Sequence, residues 1–186
     1  LGWKEELWPW ERYRAVVMAA VRAAVPVFGG NLPRQHMTQA QRNPNFDTHL
    51  SPAAWQRQQT AVREGHCNLL PERLLVPMAR IQLARDQSLA LSALQALQPA
   101  RTVVLVAGFA HVQRQLGIPT WLPPNLEAKV AIAQAGQAQA AIEKEADELY
   151  LTPALPAHDA CAELRQQWQA PPAVSWYLTF ARKRCR

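Results

Sequence analysis

The stretch Thr102–Pro119, TVVLVAGFAHVQRQLGIP, decides how the rest of the chain is read. Val103 to Ala107 form an apolar, β-branched run that ends at Gly108. A short run of that kind reads as a buried strand of a parallel sheet rather than as a helix. Val112–Leu116 then has room for about a turn and a half of helix before Gly117 and Pro119 stop it. The loop Gly108–His111 is therefore expected at the carboxyl end of a central strand, where open α/β sheets bind their ligands. Gly108 and His111 are the first candidate site residues.

The same shape occurs earlier. Val25–Phe28 is short and apolar and runs into Gly29-Gly30-Asn31-Leu32-Pro33-Arg34. Gly30, Asn31 and Arg34 are thus expected to line the same pocket as Gly108. Ahead of this unit, Leu7–Ala24 places Leu7, Tyr13, Val16, Val17, Ala20, Val21 and Ala24 at helical spacing, with Pro9 suited to the first helical position. Trp3, Trp8 and Trp10 cluster before it, as a packed aromatic anchor or, alternatively, facing a ligand.

Between the two units, Gln35–Leu50 is polar and reads as a surface excursion. Ser51-Pro52 supplies a cap and a first-turn proline for a helix running to about Glu64, before Gly65. The longest helix is expected from about Pro71 to Leu97, with Pro77 kinking or dividing it. It is apolar on more than one side, which marks a buried helix. Asp86 shares a face with Leu83 and Ala90, and Gln82 lies one turn back. A carboxylate on a buried face needs a partner, so Asp86 pairs with an arginine, caps a backbone or serves a site. Gln82 and Asp86 join the candidate pocket.

Past Pro119, Leu126–Gln134 reads as a strand closed by Gly136, and Gln137–Glu145 as a weakly amphipathic helix. Asp147–Thr152 reads as a strand with Tyr150 on the face opposite Leu149 and Leu151. His158–Gln169 is a polar helix and Val174–Phe180 a further strand, ahead of a tail closed by Arg182, Lys183, Arg184 and Arg186. The fold class is α/β, with a mostly parallel central sheet flanked by helices in a single domain. That domain takes residues 1–170, leaving 171–186 as a strand and basic tail.

Composition narrows the function classes. In 186 residues, 49% are apolar and 18% charged, as in a globular chain with one core. No apolar run approaches the roughly 20 residues of a membrane span. The net charge of +6 is partly gathered in the tail, without a basic stripe interleaved with aromatics, so nucleic acid is not expected as a partner. His36, His49, His66, His111 and His158 show no metal-ligand spacing, and there is no GxSxG elbow, P-loop or GxGxxG. Cys67 beside His66 reads as a structural thiol rather than a nucleophile pair. Of the three cysteines, Cys67 and Cys161 are the expected disulfide, since Cys185 lies in the basic tail.

The motifs WPWERY (8–13), PVFGGNLPR (26–34), GHCNLLPE (65–72), QLARD (82–86) and GFAHVQRQLGIP (108–119), in that order, resemble the ChaN-like haem-binding lipoprotein family of the Tiki/TraB superfamily. The resemblance covers about Trp3 to Pro156. It implies an iron-regulated protein of the bacterial cell envelope, usually lipid-anchored, that binds haem at a homodimer interface and serves iron uptake. A tyrosine of one subunit would ligate iron, while His and Lys side chains of the other meet the propionates. Tyr13, Tyr150 and Tyr177 are the candidates; Tyr150 is chosen, with Lys129 on a neighbouring strand and His111 beside it as haem contacts. Phenolate is a hard donor that favours ferric iron. Gly108–His111 also matches the GxxH motif of the superfamily's metal-dependent hydrolases, which gives an alternative activity with His111 as ligand and Asp86 or Glu72 assisting. The family's leading strand, a Leu-Gly-Glu-x-His-like motif carrying the catalytic Glu, has no counterpart here. The chain is therefore read as the later two-thirds of a longer protein, incomplete on its N-terminal side and not itself an enzyme, with any lipid anchor upstream. A third reading is a structural half with an uncovered sheet edge.

Overall fold

A computed structural model describes Trp3, residues 9–156 and residues 159–169. Its elements run α1 (Trp10–Arg22), α2 (Met37–Arg42), α3 (Pro52–Gly65), α4 (Leu75–Ala96), α5 (Phe109–Val112), β1 (Ala131–Ala135), α6 (Ala140–Glu143), β2 (Glu148–Thr152) and α7 (Ala160–Gln169). The fold is α/β, though its sheet among the described residues is small: β1 and β2 pair in parallel, with Ala133 opposite Tyr150. No helix among them is long and apolar enough to cross a membrane.

The spine is α4. Leu, Met, Ala, Gln and Arg fill it, all strong helix formers. Three apolar clusters follow one another along its length. Leu75 and Ala79 pack with Val62 and Leu70; Leu83 and Ala84 with Ala40, Phe46, Leu50, Ala54 and Leu116; Leu89 and Ala90 with Ile118. Helix α3 starts where its cap predicts, with Ser51 Oγ accepting from the Ala54 amide and Pro52 in the first turn.

Several expectations change. Pro77 neither kinks nor divides the long helix, because a 3₁₀ turn over Glu72–Leu74 precedes it and α4 begins only at Leu75. That puts Pro77 in the first turn, where its missing N–H costs nothing. Pro9 stands at the cap of α1, one residue before the helix. Gln35–Leu50 is no surface excursion: Ala40, Phe46 and Leu50 are buried in the central cluster. Arg80 of α4 locks this segment with bonds of 2.8 and 2.6 Å to the two Asp47 carboxylate oxygens and a third to the Gln41 carbonyl. The helix expected over Val112–Leu116 lies earlier, at Phe109–Val112, and that over Gln137–Glu145 shortens to Ala140–Glu143.

The largest difference concerns the sheet. Val103–Ala107 and Val25–Phe28 are not strands. Val103, Leu105 and Ala107 do alternate inward with exposed Thr102, Val104 and Val106, the burial period of a strand. No neighbouring strand takes up their backbone groups, so the extended run joins no sheet among the described residues. Cys67 and Cys161 are joined as expected, tying the end of α3 to α7. Trp8, His158, Tyr177, Cys185, the Val174–Phe180 strand and the boundary at residue 170 lie outside the described residues.

Candidate functional site

The middle of α4 carries a polar face into the core. Asp86 lies one turn from Leu83 and Ala90, and all three are buried, Asp86 to 0% exposure. Its partner comes from the other side of the chain. Gly108 opens the short helix α5, which carries His111 inward to 9% exposure. His111 Nδ1–H donates to Asp86 Oδ1 in a short hydrogen bond. The Gln82 amide nitrogen lies 2.9 Å from the same Nδ1. Nδ1 has a single proton and donates it to the Asp86 oxygen, so the Gln82 amide, 3.5 Å from Nε2, faces the lone pair of that nitrogen.

Gly117 makes this placement possible. The Gly117 amide bonds the Gln113 carbonyl, folding the chain back so closely that a Cβ there would lie 2.1 Å from the His111 carbonyl oxygen.

Two electrostatic consequences follow. Burial pushes the Asp86 carboxyl up to about 6, against the opposing pull of the His111 hydrogen bond and the nearby Arg85 charge. Its second oxygen, Oδ2, is buried without a hydrogen-bond partner among the described residues. Meanwhile the bond to Asp86 fixes the imidazole tautomer, so that Nε2 carries the lone pair. A lone pair held in that way suits a proton acceptor or a metal ligand.

The glycine turn at residue 30 sits on the next stretch of the same helix. The Gly30 carbonyl accepts from Ser88 Oγ at 2.9 Å, and Asn31 Oδ1 accepts from Arg85 Nε at 3.1 Å. The two turns expected to meet thus contact consecutive turns of α4. Arg34 lies just beyond, exposed at the start of a 3₁₀ turn. The shallow polar cavity of about 440 Å³ nearby is lined by Leu32, Gln39, Phe46, Gln87 and Ser92, among others, and includes neither His111 nor Tyr150.

Lys129 and Tyr150 belong to a different surface. Ile132 and Gln134 of β1 point inward, so Ala131, Ala133 and Ala135 face out. Tyr150 pairs with Ala133 and shares that outer face, 57% exposed. Lys129, also exposed, keeps the same parity two residues before β1. The phenol donates to Glu148 Oε2 at 2.5 Å, and that hydrogen bond and charge raise its pKa above 10.0. Arg114 connects the two areas. It ion-pairs with Asp147 at 2.7 Å, and Asp147 in turn accepts from the Val130 amide. The Val130 hydrogen bond, then Arg114, hold the Asp147 carboxyl below its ordinary range.

Glu148, Arg114 and Asp147 were not read from the sequence. Glu148 was within reach, since residues two apart on a strand share a face. Arg114 and Asp147 are 33 positions apart by number, and nothing local signals their pairing. Among the described residues, no group of three or more His, Cys, Asp or Glu side chains is placed to hold a metal ion.

The family model for haem-binding uptake proteins of the Tiki superfamily, ChaN, matches residues 1–122. The match spans Gly30, Asn31, Arg34, Gln82, Asp86, Gly108 and His111 and ends before Lys129 and Tyr150. No curated protein and no solved structure matches the chain.

Proposed function

We propose that this chain, which belongs to the ChaN family of haem-binding uptake proteins in the Tiki superfamily, binds haem on the outer face of β1 and β2. The observation that carries the placement is Tyr150: an exposed phenol standing beside the methyl groups of Ala131, Ala133 and Ala135. The residues fit the group. A floor of small apolar side chains accepts a planar macrocycle, the phenolate of Tyr150 is a hard donor for ferric iron, and Lys129 on the same face is a cation for a propionate. Glu148 accepts a hydrogen bond from the phenol and holds its pKa up, so iron has to displace that bond to draw out the phenolate. Haem bound there would supply a redox-active iron to be carried.

His111 is buried against Asp86, away from the outer face of β1 and β2, so it stands outside this haem placement. The open Tyr150 face leaves the far side of the ligand for a second copy of the chain, which is how a homodimer enters the proposal. A bacterial cell-envelope location and a part in iron uptake complete it. The Cys67–Cys161 bond supports the location, since such bonds persist in oxidising compartments.

Titrating the protein with hemin and recording the Soret band tests the reading. The parent shifts the band, Tyr150→Phe loses the shift, Lys129→Ala weakens binding, and Tyr13→Phe and His111→Ala keep the shift. An unshifted band in the parent rules the reading out.

One observation favours a second reading, a metal-dependent hydrolase of the superfamily's type. Asp86 holds His111 with Nε2 carrying a lone pair. That reading requires zinc, manganese or cobalt to stay bound after dialysis and a hydrolytic activity that a chelator abolishes.

A further inference from the structure

Helices α2 and α4 leave between them the cavity of about 440 Å³ that lies beside the Gly30 turn. Its α4 wall is Ala84, Gln87, Ser88, Leu91, Ser92 and Gln95, which recur at three- and four-residue spacing and so share one face of the helix. Gln39 and Asn43 line it from α2 and its end, over a floor that includes the buried Ala40 and Phe46. Among the described residues no Asp, Glu, Lys or Arg lines this cavity, and His36 is its one titratable group. The wall is nevertheless rich in groups that seek hydrogen bonds. The side-chain amides of Gln39, Gln87 and Gln95 make none among the described residues. Ser88 Oγ donates to the Gly30 carbonyl and Ser92 Oγ to the Ser88 carbonyl, both at 2.9 Å. Each hydroxyl has thereby spent its proton and keeps lone pairs to accept with.

We propose that this cavity is a binding site for a neutral saccharide the size of a disaccharide. The chemistry of the wall selects that class step by step. An apolar ligand would strip water from three amides and return no hydrogen bond, which is costly. A charged ligand would lose hydration and meet no counter-charge in the wall. What remains is an uncharged molecule dense in both donors and acceptors. Neighbouring sugar hydroxyls fit that description, since each O–H can donate to a serine oxygen or an amide carbonyl and accept from an amide N–H. The C–H face of a sugar ring in turn needs apolar contact, and Leu91, half exposed on the same helix face, supplies it together with Leu32. The volume falls within the range of small-molecule sites. The inference depends neither on haem nor on His111, because the cavity includes neither that residue nor Tyr150.

The test uses the whole chain, labelled with nitrogen-15, and three neutral probes: maltose, cellobiose and N,N′-diacetylchitobiose. Two charged relatives, cellobionic acid and fully deacetylated chitobiose, serve as controls. At millimolar concentrations at least one neutral disaccharide moves the side-chain amide resonances of Gln39, Gln87 and Gln95 along saturable curves, and its charged relative does not. Gln87→Ala weakens the affinity about fivefold or more, the share of one lost hydrogen bond. Gln95→Ala, at an exposed side chain, does the same and covers the case in which Gln87→Ala fails to fold. Tyr150→Phe leaves the sugar titration unchanged, so loss of haem binding and loss of sugar binding are read separately. No saturable shift with any of the three neutral probes overturns the proposal. So do shifts confined to other residues, equal binding of the charged relatives, or full affinity in Gln95→Ala.

Discussion

Asp86 and His111, 25 residues apart in sequence, meet inside the protein through Oδ1 and Nδ1, and the other Asp86 oxygen has no partner among the described residues. A helix residue and a loop residue have been brought together in a place where ionisation is costly. The carboxyl is pushed up to about 6, from an ordinary value of 3.8, chiefly by burial. Between those two pH values the folded state binds more protons than the unfolded one. The stability contributed by the neutral acid is therefore complete below pH 3.8 and is lost as the pH rises through 6.

Asp86→Asn removes that dependence. Urea unfolding at pH 4, 5, 6 and 7 should show the parent losing on the order of 2–3 kcal/mol relative to the variant across the window. Parallel curves for the two proteins would mean that Asp86 is not the buried acid described.

Gly117 holds the turn that carries His111. In Gly117→Ala the new methyl would meet the backbone of His111 at 2.1 Å for oxygen and 2.5 Å for carbon, and backbone cannot swing aside. A loss of about 1–3 kcal/mol is expected in urea unfolding, with the His111 ring resonances displaced. Gly65→Ala is the contrast: nothing lies within 4 Å of a Cβ there, so a gain of about 0.4–1 kcal/mol is expected.

The Cys67–Cys161 bond closes a loop with a sequence separation of 94. Chain-entropy arguments assign such a loop about 4–5 kcal/mol of stabilisation. Replacing both cysteines by serine, or adding a thiol reductant, should lower the urea midpoint by a large fraction of its parent value. An unchanged midpoint would show that the two thiols are not joined in the folded protein.

Glu148 raises the pKa of the Tyr150 phenol through its hydrogen bond and its charge. In Glu148→Gln the charge goes and the phenol should ionise at lower pH than in the parent. Ultraviolet difference titration against Tyr150→Phe isolates this tyrosine. A later onset of ionisation in Glu148→Gln would contradict the contact.

Leu83 is fully buried where α4 meets the central cluster, and Leu91 on the same helix is half exposed. Leu83→Ala should cost about 2–5 kcal/mol and Leu91→Ala well under half of that, read from denaturant midpoints at constant slope.

The elements that were legible in the sequence are those whose signals are local. Ser51 and Pro52 start α3 because a hydroxyl and a fixed φ act within one turn, and Leu75–Ala96 is helical by composition alone. Asp86 was marked by sharing the face of Leu83 and Ala90. That its partner would be His111, and not an arginine, was not legible. Gln35–Leu50 looked like surface because its polar residues outnumber Ala40, Phe46 and Leu50, the three that enter the core. Pro77 was misplaced by a few residues of helix start, and that offset turns a breaker into a harmless first-turn residue.

By itself the sequence marked the helices now seen as α1, α3 and α4, the two strands that pair and, through its ordered motifs, the family. Each depends on dihedral preference, capping and side-chain spacing within a few residues. Only the tertiary structure decided that Val103–Ala107 is unpaired among the described residues, that Asp86 holds His111, and that Tyr150 stands on an outer face with Glu148. Those facts depend on which backbone or side chain arrives from far along the chain to satisfy a buried polar group, and no local pattern encodes that arrival.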